Sequence, residues 1–359
     1  MDVLKRLTLA TLALGLLTGC QISYYLNSAY HQGQLLRARV PLEKALAQPD
    51  LSPETRHKLL LAQSARVFAE EELGLVHSQN YTSFVQLDRP YVSYIVHAAP
   101  KHKLEHHLWR FPIVGSLPYK GYFRKPQALA EAARMERRNF DTFVRGVSAY
   151  STLGWFNDPI LSSMLHSSDH RLVNLIIHET VHATIFIKSQ ADFNERLATF
   201  LGDLGTEMYY RQLEGEDSPT LKQIAAENRD QMLFSDFISQ EIRALRQWYS
   251  DVDEKTALAN RETKLSAIQK RFRQDIQPQL ETRSYAQLAT TPLNNALLLS
   301  YQTYYENLDD FQTLFDLMDR NLKQFIDFFK SIESDPQPQA RLEEKILLLS
   351  STPADPEPS

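Results

Sequence analysis

Leu175-Ile-Ile-His-Glu-Thr-Val-His-Ala-Thr-Ile-Phe186 sets two histidines four residues apart, with a glutamate beside the first, inside an apolar run. On a helix, residues four apart lie one above the other, so His178 and His182 can share one tetrahedral metal ion. Glu179 beside them completes the minimal kit of a zinc hydrolase, H-E-x-x-H. The pattern alone arises by chance in about one or two per cent of chains of this length and histidine content, so the flanks must carry the argument. Leu172, Val173, Leu175, Ile176, Ile177, Val181, Ala183, Ile185 and Phe186 surround the motif on every side, and a helix apolar all round is a buried one. Unpartnered, the three polar side chains would cost several kcal/mol. A divalent cation removes that cost; the bland alternative is a polar stripe meeting another polar side chain.

A catalytic zinc wants three protein ligands and one open position. The third candidate is Glu195 in Asp192-Phe-Asn-Glu-Arg-Leu-Ala198, because a turn at Ser189-Gln190 would fold the next helix back on the first. A capping box competes for it: with Asp192 as N-cap, Glu195 falls at the third helical position and bonds back to the cap. With Ser189 as cap instead, Glu195 lies in the second turn and is free to coordinate. Asp203 and Glu207 are weaker substitutes. Glu179 is rotated about 100° from His178 and points at the attacking water rather than the ion, which suits a general base. For the oxyanion donor the sequence offers Tyr150, Tyr301, Tyr304, Tyr305, His166 and His170, with Tyr150 preferred. The segment Gly146 to Pro159 reads as a strand whose edge can pair with an extended peptide, or as an ordinary edge strand ended by a turn. His102, His106 and His107 lack an acidic partner in an apolar setting and read as a solvated face or local turn.

The first residues are an address. Lys5 and Arg6 form a basic n-region, Leu7 to Leu17 is an apolar run too short to span a bilayer, and Leu17-Thr-Gly-Cys20 follows. This ending resembles the lipobox of bacterial lipoproteins, which implies lipidation of Cys20, the only cysteine of the chain. Residues 1–19 are therefore expected to be a lipoprotein signal peptide. Gln21 rather than Asp after the cysteine implies the inner leaflet of a Gram-negative outer membrane, facing the periplasm. A net charge of -5 with scattered basic residues gives no nucleic-acid footprint, so membrane association must come from the lipid.

Periodicity predicts a helical hairpin over 24–47 and 51–73, with Ser52-Pro53 as cap and first turn. Tyr81–Leu87 and Tyr91–Ala98 read as a β-hairpin around Asp88-Arg89-Pro90, and Trp109–Val114, Gly121–Phe123 and Thr142–Tyr150 as further strands. A helix over 126–141 interrupts them. Beyond Pro159 the chain reads as helix: 169–187, 193–213, a long pair over 219–250 and 252–276, then 293–307 and 308–332. The segment 351–359 cannot bury a core and reads as a disordered tail. A small antiparallel sheet followed by helices makes the fold class α+β.

Taken together, His178-Glu-Thr-Val-His182, Phe193-Asn-Glu-Arg-Leu-Ala198, Phe111-Pro-Ile-Val-Gly-Ser-Leu-Pro-Tyr-Lys-Gly-Tyr-Phe123 and Ala149-Tyr-Ser-Thr-Leu-Gly-Trp-Phe156 resemble a bacterial family of aminopeptidase lipoproteins. The resemblance covers most of the mature chain. It implies a zinc-dependent peptidase of gluzincin type acting on peptides, with one Zn2+ held by His178, His182 and Glu195, and Glu179 as base. It also implies one zincin-like domain over 20–350 with a helical insertion about 215–280. Gluzincins commonly show a longer gap before the third ligand, and no G-x-M-E-N-like segment is present to hold a substrate N-terminus. Two other readings use the same residues: a non-catalytic envelope scaffold binding partners through the 219–276 hairpin, and a zinc hydrolase of a non-peptide amide. A free Glu179 favours an enzyme, since a structural zinc site is normally closed by four ligands and needs no base.

Overall fold

The computed structural model describes residues 24, 27–111, 115–149, 157–302 and 308–351. Cys20, Tyr150, Tyr304, Tyr305 and all but the first residue of the 351–359 tail lie outside them. Helix α1 (27–37) is followed by the two-residue strand β1 (Val40–Pro41), the short α2 (Leu42–Leu46) and α3 (Pro53–Glu71). Ser52 caps α3 as its sequence demands, its hydroxyl accepting from the Thr55 amide at 3.1 Å with Pro53 in the first turn.

The fold is α+β, but the strands do not pair as the hairpin reading expects. Strand β2 (Ser83–Val85) lies antiparallel to β1 and parallel to β8 (Ile160–Leu161), whereas β3 (Ser93–Pro100) sits in a second sheet between β6 (Tyr119–Tyr122) and β7 (Phe140–Val147). The turn between β2 and β3 is claimed by other bonds. The Leu87 amide donates to the Ser162 hydroxyl at 2.9 Å, and Arg89 binds Asp88 at 2.6 Å and the Val92 carbonyl at 3.3 Å, which directs the two strands apart. Strands β4 (Trp109–Phe111) and β5 (Gly115–Leu117) form a separate pair. Helix α4 (Lys125–Glu136) covers one face of the central sheet, with Ala128 and Ala132 against Tyr94 and Val96. It stops short of the predicted end because Asn139 turns into the left-handed region at φ 65.

Helix α5 (Asp169–Thr184) carries the histidine motif and is packed between α3 and α6 (Ala191–Glu214). Leu172, Val173, Ile176 and Ile177 are fully buried, as an all-round apolar helix requires. Asp169 in its first turn ties it to α3 through Lys58 at 2.6 Å and His57 at 2.7 Å. Two glycines set how closely α6 approaches. A Cβ at Gly202 would stand 3.3 Å from the His178 Cβ, and one at Gly205 would stand 2.7 Å from Leu73 Cδ1 and 3.0 Å from Ile177 Cγ2. Gly205→Val is therefore expected to destabilise the fold by about 1–3 kcal/mol, because the packed helices must separate. Urea unfolding measures it, and an unchanged midpoint would contradict this account of the helix contact.

Helices α7 (Pro219–Asp251), α8 (Glu254–Arg271) and α9 (Asn295–Gln302) build a second core around Phe234 and Phe272, which also takes in Ala99 and Leu104 from the end of β3 and the turn beyond it. The C-terminal region holds α10 (Asp309–Leu317), α11 (Leu322–Ser331) and α12 (Pro338–Ser351). The single helix expected over 308–332 is broken where Asp319 and Arg320 take φ 52 and 57 and Asn321 caps the next turn. Helix α12 has no counterpart in the sequence reading. Phe311, Phe315, Phe325 and Phe329 interlock with Phe193 and Phe200, which anchors α6 from the side away from α5.

Candidate active site

The site begins with α5 ending and the chain doubling back. Ile185 is extended at φ -136, and Ser189 sits in the left-handed region at φ 62, so the return takes few residues. Asn194 fixes it, with its side-chain oxygen accepting from the Ile187 amide at 3.0 Å and its amide donating to the Ile187 carbonyl at 2.8 Å. Helix α6 starts at Ala191 with Gln190 as N-cap and no side-chain cap bond. Neither of the caps weighed from sequence forms: the Asp192–Glu195 capping box is absent because the helix starts two residues earlier, and Glu195 lies in the second turn.

There it meets both histidines. His178 Nε2 is 3.5 Å and His182 Nε2 3.3 Å from the Glu195 carboxylate oxygens, and the three donor atoms lie within 4.8 Å of one another. Two ligand atoms on tetrahedral zinc arms of usual length are about 3.3 Å apart, so the set has the dimensions of one ion. Hydrogen bonds from His178 and His182 hold the Glu195 carboxyl well below the usual carboxylate range. Burial works against charge on His182, but the hydrogen bond and charge of Glu195 outweigh it and lift that imidazole. His182 is buried while Glu195 is exposed, so the site is closed on the helix side and open at its rim.

Glu179 is not one of the three converging donors, although its charge interacts with all of them. Its Oε2 is buried with no hydrogen-bond partner among the described residues, and burial pushes its carboxyl up despite the pull of both histidines. A buried carboxylate oxygen left unsatisfied beside three converging donors fits a site that takes an ion and a water. The fully buried phenol of Tyr81 lies within reach of the Glu179 and Asp158 charges. Tyr81 has φ 60, a strained setting for an aromatic residue. It is held by its amide donating to the Asp158 carbonyl at 2.7 Å, while the Asp158 amide donates to the Asn80 side chain at 2.9 Å.

Of the donors proposed from sequence, Tyr150, Tyr304 and Tyr305 lie outside the described residues, and the other three fall elsewhere. Tyr301 packs on Phe234 in the second core, His166 is exposed on a short 3-10 turn, and His170 bonds Glu227 at 3.3 Å. Asp203 accepts from Asn174 at 2.8 Å and is not part of the converging set; Glu207 also stays out of it. Of the histidines after β3, His102 lies in a local turn, one of the two readings, and all three are half-buried rather than a solvated face; burial lowers the pKa of His106 and His107. What sequence reasoning missed is the face of the central sheet opposite α4. Register places His97 opposite both Tyr119 and Phe143, with Arg145 two residues along, so these side chains share the face away from α4. The Tyr119 ring is 5.9 Å from His97. Burial raises the Tyr119 phenol, and the Glu195 charge adds to the rise. The signal was present: Tyr119 lies inside the 111–123 motif and Arg145 is a lone cation in an apolar strand.

A family model described as "Putative aminopeptidase" matches residues 23–344. The chain belongs to that family. No curated protein and no solved structure matches. The aminopeptidase match spans both cores, the α5–α6 pair and the central sheet, so family membership concerns the whole of the fold rather than the histidine helix alone.

Proposed function

We propose that the chain is a zinc-dependent aminopeptidase, tethered to the bacterial envelope by lipid on Cys20 and facing the periplasm. The observation that carries the reading is the convergence of His178, His182 and Glu195 beside Glu179, whose Oε2 is buried with no hydrogen-bond partner among the described residues. Zinc held by these three residues would supply Lewis acidity toward water and the scissile carbonyl. Glu179 accepts the proton of the attacking water and passes it to the leaving amine. Tyr119, whose phenol feels the Glu195 charge, is a second candidate beside Tyr150 to offer its hydroxyl to the developing oxyanion.

Zinc analysis beside a peptide screen tests the reading. Purified protein is expected to carry one zinc per chain, to lose hydrolysis of free-amine peptides on chelation and to regain it when zinc is restored. His178→Ala and Glu195→Ala should lose both metal and turnover. Protein that never takes up stoichiometric zinc would end the proposal, and equal cleavage of N-acetylated peptides would replace "aminopeptidase" with an endopeptidase. No helix among the described residues is long and apolar enough to cross a membrane. The tether is therefore tested at Cys20: Cys20→Ser should move the protein from the membrane to the soluble fraction, and a soluble wild type would refute it.

A further inference from the structure

One turn along α5 from His178, a polar recess of about 270 Å³ opens between α5, α6 and α7. Asn174 and Asp203 form the wall nearest the histidine. Gly202 fixes that proximity: a Cβ there would lie 3.3 Å from the His178 Cβ and 3.5 Å from the Asn174 amide nitrogen, and Asp203 is the next residue. His178 and Asn174 are separated by one helical pitch, about 5.4 Å.

The charges in the recess are unevenly satisfied. Glu227 is fully engaged, accepting from Arg171 Nη2 at 2.8 Å and Nε at 3.1 Å, from His170 at 3.3 Å and from Gln223 at 2.9 Å. That network also occupies the two basic side chains of the lining, so neither is available to an anion. Asp203 has one hydrogen bond, from neutral Asn174 at 2.8 Å, and no ion pair among the described residues. Burial pushes its carboxyl up to about 6, and the charge of Glu207 adds to the rise. A carboxylate sunk in a cavity with only an amide for company is stabilised by a cation that brings its own hydrogen-bond donors.

We propose that this recess receives a basic side chain of the peptide substrate, with Asp203 as its counter-charge. The proposal rests on the peptidase reading for its biological meaning, but the pocket makes a binding claim of its own. A guanidinium or ammonium head would replace the missing cation at Asp203, and the amides of Asn228 and Gln231 on α7 line the way in. Selectivity for Lys and Arg over aliphatic residues follows.

Calorimetric titration of the zinc-loaded protein with argininamide and with leucinamide separates the two claims. Argininamide should bind more tightly than leucinamide, and Asp203→Asn should weaken it about 10- to 100-fold, the usual loss for a hydrogen bond between charged partners. Asn228→Arg, at an exposed position of α7, should fill the recess from its mouth and compete argininamide out without a core change. Equal binding of the two amides, or argininamide affinity untouched in both variants, overturns the pocket. Peptide turnover supplies the second arm: the ratio of kcat/KM for Arg over Leu substrates should fall about tenfold or more in Asp203→Asn. Argininamide binding without any peptide cleavage would keep the pocket and remove the peptidase reading.

Discussion

If the zinc-peptidase proposal holds, Glu179→Gln is expected to keep its metal and lose hydrolysis by about 10²–10⁴-fold, the range typical of a missing general base. The amide has the shape of the carboxylate but cannot accept and return a proton. Metal content should stay the same because Glu179 is not among the converging donors His178, His182 and Glu195. Stability moves in the opposite direction to activity. Burial raises the Glu179 pKa in the folded protein above its unfolded value, so the folded state binds more protons and stability falls as pH rises from the ordinary carboxylate range through the raised value. The penalty is complete above the folded pKa. Metal-free Glu179→Gln should therefore melt higher than metal-free wild type at neutral pH, and the gap should close in acid, where both side chains are neutral. Thermal melts across pH, read beside zinc content and turnover, check all three statements; retained activity in the glutamine variant would remove Glu179 from the chemistry.

Asp141→Ala should cost about 3–5 kcal/mol, the usual penalty for leaving one member of a buried ion pair alone. Asp141 at the start of β7 accepts from Arg261 of α8, and both are buried. The Asn295 amide at the start of α9 also donates to Asp141, at 3.0 Å. Asn295 in turn donates to the carbonyls of Pro100 at 2.9 Å and Lys103 at 3.0 Å, and accepts from the Tyr249 hydroxyl at 3.1 Å. These bonds join the central sheet to the helices of the second core. Removing Asp141 leaves Arg261 with only exposed Glu262 for company, at 2.8 Å. Asp141→Asn, which keeps an acceptor for both donors, should lose clearly less. Urea midpoints decide: a loss under about 1 kcal/mol in the alanine variant would show that the join is carried elsewhere.

The motif helix was legible because its apolar surroundings and its i, i+4 histidines obey one period, and the long α7–α8 pair for the same reason. Ser52-Pro53 marked the start of α3 through local chemistry alone. Strand pairing was harder, since β2 and β3 each carry a valid strand pattern but their partners, β8 and β6–β7, are chosen by contacts tens of residues away. The break after α10 depends on left-handed Asp319 and Arg320, residues that also suit a helix interior. Glu195 was identified from spacing, but its freedom from capping was decided by Asn194 bonding Ile187, a pair no spacing rule includes. Tyr119 stayed hidden because its role comes from which sheet face looks away from α4, a matter of tertiary packing.

The contrast between a sealed His182 and a Glu195 at the rim, with side chains 5% and 65% exposed, sets how an ion would come and go. The imidazole is held by the interior and cannot swing out without opening the packed helices; the carboxylate can release and rebind at little cost. Loading and loss would then run past the glutamate, which acts as the latch of the site. Residence time becomes adjustable by changes at the surface, with the interior left untouched.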